Sequence, residues 1–515
     1  MKREGSYQLK LGAVLSYAGI FLQNIINIVY TPIMLRYLGQ AEYGLYVLIG
    51  SLIGYIAVMD FGLGNTISRY IAKFRVEQDR TKESNLVAMC LIMYSGISLL
   101  AIVVGAILYG QLGVVFKNGL TISELDEAKI MFAILIFNVA ISFPLNTFNA
   151  ILIGYEKFVV SNSFSLIRII LVPCFVVPML LLGYNAVSVV VINTIFNILV
   201  GIMNVLYVLI KLRVKIRIYY FDKAFVKELT RYSIFVFIGV IVDQIYWRTG
   251  QIILGVYKST IVVSVYAIAM QICTYYMTLS TTISGVFLPR VTQMVAQNTS
   301  DQEITKLFTR TGRLQFIILG CILGGFILFG KQFLILWAGP QYADAWLLIL
   351  IIIIPLTVPL IQTVGISVLQ AKNMHAFRSV TYLCVAIANL GLSVVLVPQM
   401  VGLGAALSTA LSLIIGNIII INVYYHKKVG INVIAFFRSI LTLLPVAGIA
   451  WLISSVGLLM TENSWISLLL KGSIYIITYI LAMWFIGFND DEKQLLTRPL
   501  ASFKKAKRVN VPERV

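Results

Sequence analysis

Charge is what this sequence has least of. Only 12% of its 515 residues are Asp, Glu, Lys or Arg, against about 25% in soluble globular chains. Histidine is nearly absent, with two residues, His375 and His426. There is no cluster with metal-ligand spacing, no Walker-type glycine loop and no nucleophile motif, so neither a cofactor nor direct drive by ATP is expected. The acids expected outside the membrane (Glu42, Glu124, Asp126, Asp344 and Glu462) are scattered, which argues against an enzyme. The five cysteines, Cys90, Cys174, Cys273, Cys321 and Cys384, lie inside apolar runs without redox or metal spacing and read as small packing residues. Acids are scarcer than bases, 21 against 40, for a net charge of +19. In a soluble chain that excess would suggest nucleic acid. Here the bases sit between apolar runs, where they set membrane orientation, and no nucleic-acid partner is expected.

What fills the sequence instead is hydrocarbon: 59% of residues are hydrophobic and the mean hydropathy is +0.92. A spanning helix needs about 20 mostly apolar residues. Such runs lie near 12–35, 45–64, 86–109, 129–152, 158–182, 187–210, 232–255, 261–287, 314–336, 345–369, 378–398, 403–425, 436–459 and 465–488. The fold class is therefore an all-α, polytopic membrane protein of about fourteen transmembrane helices. The first run is long and lacks a small-residue cleavage site, which predicts a retained helix rather than a signal peptide.

The basic residues test that count. With the N-terminus inside and the spans alternating, most of the 40 Lys and Arg fall in inside segments, including the dense series Lys211, Arg213, Lys215, Arg217, Lys223, Lys227 and Arg231. One missed span would reverse every later loop and destroy the bias, so both termini are expected in the cytoplasm and the chain in a bacterial plasma membrane. Six spans precede the basic stretch and six follow it. Leu38-Gly39 ends span one as Leu254-Gly255 ends span seven, which suggests a parallel repeat; coincidence among apolar sequence is the alternative. The expected organisation is an N-terminal six-helix lobe over 1–210 and a C-terminal six-helix lobe over 211–430 beginning with a basic linker. Two further helices over 431–490 and a basic cytoplasmic tail over 491–515 complete it.

Ionisable side chains at bilayer depth cost about 2.5–3.5 kcal/mol each on insertion scales and usually face protein or water. Asp243 lies about 18 Å into span seven at 1.5 Å per residue, and Arg248 lies deeper. Gln244, Arg248 and Gln251 share a face by i, i+4, i+7 spacing. Arg168 lies near mid-depth in span five. Asp243 and Arg168 are expected to line a polar cavity, the alternative being a structural pair or an interhelical lock. Arg248 could reach the outer surface, and Lys471 is expected to snorkel there. Span one carries Gln23, Asn24 and Asn27, and span six carries Asn193, Asn197 and Asn204. Superposing the two Leu-Gly pairs sets Asn27 over Asp243. Arg69 and Arg290, at the inner ends of spans two and eight, could capture an anionic headgroup on entry or simply anchor the positive side.

Four stretches carry a resemblance to a known family. They are Leu35-Arg36-Tyr37-Leu38-Gly39-Gln40-Ala41-Glu42-Tyr43-Gly44-Leu45-Tyr46, Asp60-Phe61-Gly62-Leu63-Gly64, Leu336-Trp337-Ala338-Gly339-Pro340-Gln341-Tyr342 leading into Ala345, and Val401-Gly402-Leu403-Gly404-Ala405-Ala406. Spaced along roughly 1–425, they resemble the polysaccharide-biosynthesis flippases, the O-antigen and capsule type, of the multidrug/oligosaccharidyl-lipid/polysaccharide exporter superfamily. The resemblance implies two six-helix lobes around a central cavity, with spans one, two, seven and eight lining it. It implies translocation of a polyprenyl-pyrophosphate-linked oligosaccharide from the inner to the outer leaflet by alternating access. Arg248 and then Arg168 are the first choices for the pyrophosphate, with Asn24, Asn27, Asp243, Gln244 and Gln251 on the cavity wall. Implied partners are the lipid-linked oligosaccharide, membrane lipids, a coupling H+ or Na+ at Asp243, and glycan polymerase or glycosyltransferase machinery. A lipid II flippase and a cation-coupled multidrug exporter of the same superfamily remain the alternatives.

Overall fold

The computed structural model describes residues 2–220, 223–284, 287–455, 462–490 and 492–494. Most of the tail expected at 491–515, and the side chains of Lys223, Lys227, Arg231 and His375, lie outside the described residues. Among the described residues every regular element is helical. Eleven helices are long and apolar enough to cross a membrane, or twelve if the bent pair Ala345–Ile361 and Thr363–Ala371 is one span. One of the eleven, Leu11–Val76, holds 66 residues, about 100 Å of helix at 1.5 Å per residue against a hydrocarbon core of about 30 Å. It is broken at Gly39, where φ 75 and ψ 178 leave the helical region, and so has the length for two crossings. About fourteen crossings fit this arrangement once the 35 residues of Lys223–Tyr257 are included.

The chain forms two compact units. The first opens with α1 (Lys2–Ala57), α2 (Leu63–Val76), α3 (Arg80–Val115), α4 (Ile122–Gly154), α5 (Phe158–Leu181), α6 (Ala186–Leu206), α7 (Lys223–Tyr257) and the start of α8 (Thr260–Ser284). Residues 386–409 belong to it as well. Two of its helices, α3 and α4, begin where short polar side chains take up orphan backbone donors. Thr121 and Glu124 form a capping box at α4. The Asp79 carboxylate accepts from the Lys82 amide at 2.9 Å. That bond, with the Lys82 ammonium 3.0 Å away, holds the Asp79 carboxyl below the ordinary aspartate range.

Helices of this unit approach closely because small residues face large ones. A Cβ on Gly105 would lie 2.7 Å from Ile136, and one on Gly201 would lie 2.4 Å from Leu145. Ser98 Oγ donates across the α3–α4 interface to the Ala140 carbonyl at 2.7 Å, and Ser68 Oγ donates from α2 to Ala150 of α4 at 2.9 Å. Gly44 and Gly119 are the tightest approaches: a Cβ would fall 1.8 Å from the Thr260 carbonyl oxygen at the first and 1.7 Å from the Gly255 carbonyl oxygen at the second.

The second unit holds the end of α8, then α9 (Leu288–Ala296), α10 (Asp301–Trp337), α11 (Ala345–Ile361), α12 (Thr363–Ala371), and the start of α13 (His375–Met400). It resumes in α14 (Gly402–Leu413), which runs through a π-helical turn at Ile414–Ile420 into α15 (Ile421–Tyr424). α16 (Val433–Leu441), α17 (Leu444–Ser455) and α18 (Trp465–Ala482) follow. α18 turns Ile466, Leu469, Leu470 and Ile477 outward, the surface a lipid-facing helix needs.

The opposite face of α18 is fastened to α10 by a line of hydrogen bonds. Lys471, Tyr475 and Tyr479, at four-residue spacing, are all buried. The Tyr475 hydroxyl donates to the Cys321 carbonyl at 2.9 Å, and that of Tyr479 donates to Ile317 at 3.0 Å. Gly324 makes room, since a Cβ there would sit 2.3 Å from the Tyr475 oxygen. Lys471 does not snorkel. It is 4% exposed and donates to Gln332 Oε1 at 3.2 Å, because it shares the face that Tyr475 and Tyr479 press against α10. The line ends at Arg313. Its guanidinium pairs with Glu492 at 2.7 Å and donates to Ser439 O at 2.7 Å and to Gly487 O at 2.8 Å.

Candidate functional site

A cavity of about 470 Å³ opens inside the first unit between α1, α5 and α6. Gln23, Asn27, Tyr30 and Tyr46 line it from α1, Ser165, Arg168, Ile169, Val172 and Pro173 from α5, and Asn193 and Val200 from α6. It falls in the range of small-molecule pockets, about 300–1,000 Å³. Local sequence explains its wall. Gln23 and Asn27 are one helical turn apart, and the Gln23 amide donates to Asn27 Oδ1 at 2.9 Å. Pro173 has no N–H to give the Ile169 carbonyl one turn earlier, and both residues line the cavity.

Arg168 is the charged group on that wall. It sits ten residues into α5, about 15 Å along the helix, and is half-buried. Its Nη1 donates to Asn197 Oδ1 at 3.0 Å. Asn197 is held in turn: its Nδ2 donates to Asn138 Oδ1 and to Ser142 Oγ, both at 2.7 Å. The guanidinium is thus aimed by an amide that two side chains of α4 fix. Among the described residues no carboxylate comes within 4 Å of it. A cation at this depth without a carboxylate partner favours the arrival of an anion. The Tyr30 hydroxyl is buried and has no hydrogen-bond partner among the described residues, so a donor is also free on this wall.

The residues singled out in the sequence have separate surroundings. Asn27 and Arg168 share the cavity. Arg248 is exposed and is not on the lining. Asn24 is half-buried and Asp243 exposed, and neither is on the lining. Gln251 is buried and accepts a hydrogen bond from Ser51 of α1. One turn further along α1, Tyr55 meets Thr249 at 2.6 Å and the Gln244 carbonyl at 3.3 Å, so this side of α7 is packed on α1. Arg69 is exposed on α2 and Arg290 is exposed on α9.

Three residues were not singled out in the sequence. Tyr30 and Tyr46 are polar only at the ring tip, and nothing in a linear pattern separates them from packing aromatics. Asp60 opens one of the family stretches, and nothing in the linear pattern tells what its carboxylate meets. The helix breaks there into a 3-10 turn followed by left-handed Phe61 and Gly62. The carboxylate lies beside the Tyr94 hydroxyl, the Gly62 amide and Asn146.

Residues 9–295, more than half of the chain, match the family model described as "Polysaccharide biosynthesis protein". The chain is 27% identical over 278 residues to "Uncharacterized membrane protein EpsK" of Bacillus subtilis (strain 168), covering 52% of this chain and 53% of that one. It is 26% identical over 209 residues to "Probable flippase AglR" of Haloferax volcanii, covering 40% and 41%. The chain thus spans about half the length of these relatives, or less. A solved structure of the lipid II flippase MurJ, in an inward closed conformation, superposes with a TM-score of 0.73 at 16% identity, over 95% of this chain and 100% of that one. At that identity the likeness is one of fold.

Proposed function

Because the chain belongs to the polysaccharide biosynthesis protein family, we propose that it is a flippase. It carries a polyprenyl-pyrophosphate-linked oligosaccharide from the inner to the outer leaflet by alternating access, for export of cell-surface polysaccharide. The observation that carries this reading is Arg168, aimed into a membrane-level cavity by Asn197 with no carboxylate partner among the described residues. Sugar hydroxyls and phosphate oxygens cannot enter hydrocarbon without partners. Arg168 supplies the charge for the pyrophosphate, and Arg248, off the lining, is a second candidate. Gln23, Asn27, Asn193 and the Tyr30 hydroxyl supply neutral hydrogen bonds to sugar or phosphate. The polyprenyl tail needs no such cover and stays in lipid.

The same arrangement disfavours export of cationic drugs, which would meet Arg168 in the cavity. Arg69 and Arg290 remain candidates for first capture of the headgroup, and Asp243 for coupling to H+ or Na+. If Asp243→Asn left transport and its gradient dependence unchanged, that coupling role would be lost.

The test is where lipid-linked sugar accumulates when the protein is removed. Undecaprenyl-linked oligosaccharide is scored in each leaflet by protection from a glycan-modifying reagent confined to the outside. Inner-leaflet build-up with loss of surface glycan is expected, and Arg168→Ala should reproduce it while the protein remains in the membrane. An unchanged leaflet distribution on depletion would overturn the reading.

A further inference from the structure

The second unit contains a cavity of about 540 Å³, and of its lining the transport reading uses Arg290 alone. It lies around the first turns of α10. Charge along α10 runs through Lys306, Arg310 and Arg313 and then stops until Lys331, so the cavity sits where the apolar run meets water. Its floor is built. Arg313 and Glu492, 4% and 3% exposed, pair at 2.7 Å, and the remaining guanidinium donors go to Ser439, Thr442 and the Gly487 carbonyl. That floor offers no free charge.

The walls differ. Lys306 and Arg310 of α10 and Arg290 of α9 line the cavity and are exposed. None of the three has an ion pair or hydrogen bond among the described residues. Lys306 and Arg310 are one helical turn apart, a like-charge spacing that destabilises an isolated helix. The acids on the lining are Glu303 and Glu492, and Glu492 is committed to Arg313. Among the described residues of the lining, three cations therefore face Glu303 as the one uncommitted acid, across a cavity large enough for a small polar group. Arginine forks and lysine ammonium groups at the depth of lipid headgroups are the recognition chemistry of phosphate.

We propose that this cavity binds a phosphate-bearing group at the membrane surface through Lys306 and Arg310, beside Arg290, independently of the transported substrate. The phosphate can come from an anionic lipid headgroup or from a soluble phosphate compound.

The test uses the full chain, purified and delipidated in a neutral detergent. Phosphatidylglycerol, phosphatidylcholine and inorganic pyrophosphate are titrated separately, and binding is read by native mass spectrometry. Wild type is compared with the double variant Lys306→Gln/Arg310→Gln and with Lys427→Gln/Lys428→Gln, which removes equal charge from exposed residues off the cavity lining. Phosphatidylglycerol or pyrophosphate should bind wild type and the control alike, and the double variant at least ten-fold more weakly at an unchanged melting temperature. Phosphatidylcholine should not bind specifically. Binding of pyrophosphate alone assigns the soluble source; binding of phosphatidylglycerol that pyrophosphate does not displace assigns the lipid. No binding of either anion, or equal losses in both double variants, would overturn the proposal.

Discussion

At the scale of single residues, Asn197 has a positioning task that differs from that of Arg168. It touches Arg168 and two groups of α4 but is not on the cavity lining. Asn197→Ala should leave the charge in place and lose its aim. A charge-assisted hydrogen bond is worth about 1.5–3 kcal/mol, so transport in the leaflet assay should fall by about ten-fold or more. Arg168→Lys, which keeps charge and loses the fork, should fall between wild type and Arg168→Ala. If Asn197→Ala transported at the wild-type rate, the positioning role would be refuted. Glycine offers a second test. Gly44→Ala drives a methyl into the Thr260 carbonyl, and overpacking costs about 1–3 kcal/mol, which should appear as a lower melting temperature in detergent. Gly50→Ala, whose Cβ would meet nothing within 4 Å, is the matched control. Much at this scale was readable beforehand, because depth can be counted along a span: Arg168 stands out as a cation ten residues into an apolar run. What could not be read is direction across the bundle. Nothing linear says that Gln251 is taken by Ser51, or that Lys471 points at Gln332 rather than outward.

At the scale of elements, the α10–α18 line predicts a graded series. Tyr475→Phe and Tyr479→Phe each delete one hydroxyl-to-carbonyl bond. Interhelical bonds of this kind are worth about 0.6 kcal/mol on average in membrane proteins, so each change should be mild. The ion pair at the end of the line should behave otherwise, since removing one partner of a buried pair costs about 3–5 kcal/mol. Glu492→Gln should therefore destabilise far more than either tyrosine change, and adding Arg313→Met should recover part of the loss. A double-mutant cycle on unfolding in detergent measures this, and additive losses would show that the pair is not coupled. The spans themselves were legible because hydropathy is a property of the element alone. The break at Gly39 was legible too, as the short Leu-Gly end of span one. In the sequence Arg313 reads as one more cation at the inner end of a span; its buried pairing depends on Glu492, 179 positions away, a separation no local pattern spans.

At the scale of the whole molecule, orientation is a proposal that the described helices leave open to experiment. The distribution of Lys and Arg predicts both termini on the cytoplasmic side. A fluorescent protein fused after Val515 should fluoresce, and alkaline phosphatase fused there should be inactive; the reverse would invert every loop assignment. Fold class was the most legible property of the sequence, because 59% hydrophobic residues with 12% charge leave little but a helical membrane protein. The N-terminal-unit cavity was partly legible. Asn27 and Arg168 came from separate spans by depth alone, whereas their meeting with Tyr30 and Tyr46 depends on how α1, α5 and α6 close on one another.

The single bonded face of α18 divides that helix into two regimes of substitution. Positions 471, 475 and 479 meet one specified atom each on α10, so a slip of one turn would mismatch all three together. Ile466, Leu469, Leu470 and Ile477 are exposed, and against acyl chains any aliphatic side chain serves. Among natural variants the outward side should drift freely among Leu, Ile, Val and Phe, while the inward side changes only together with its counterpart on α10.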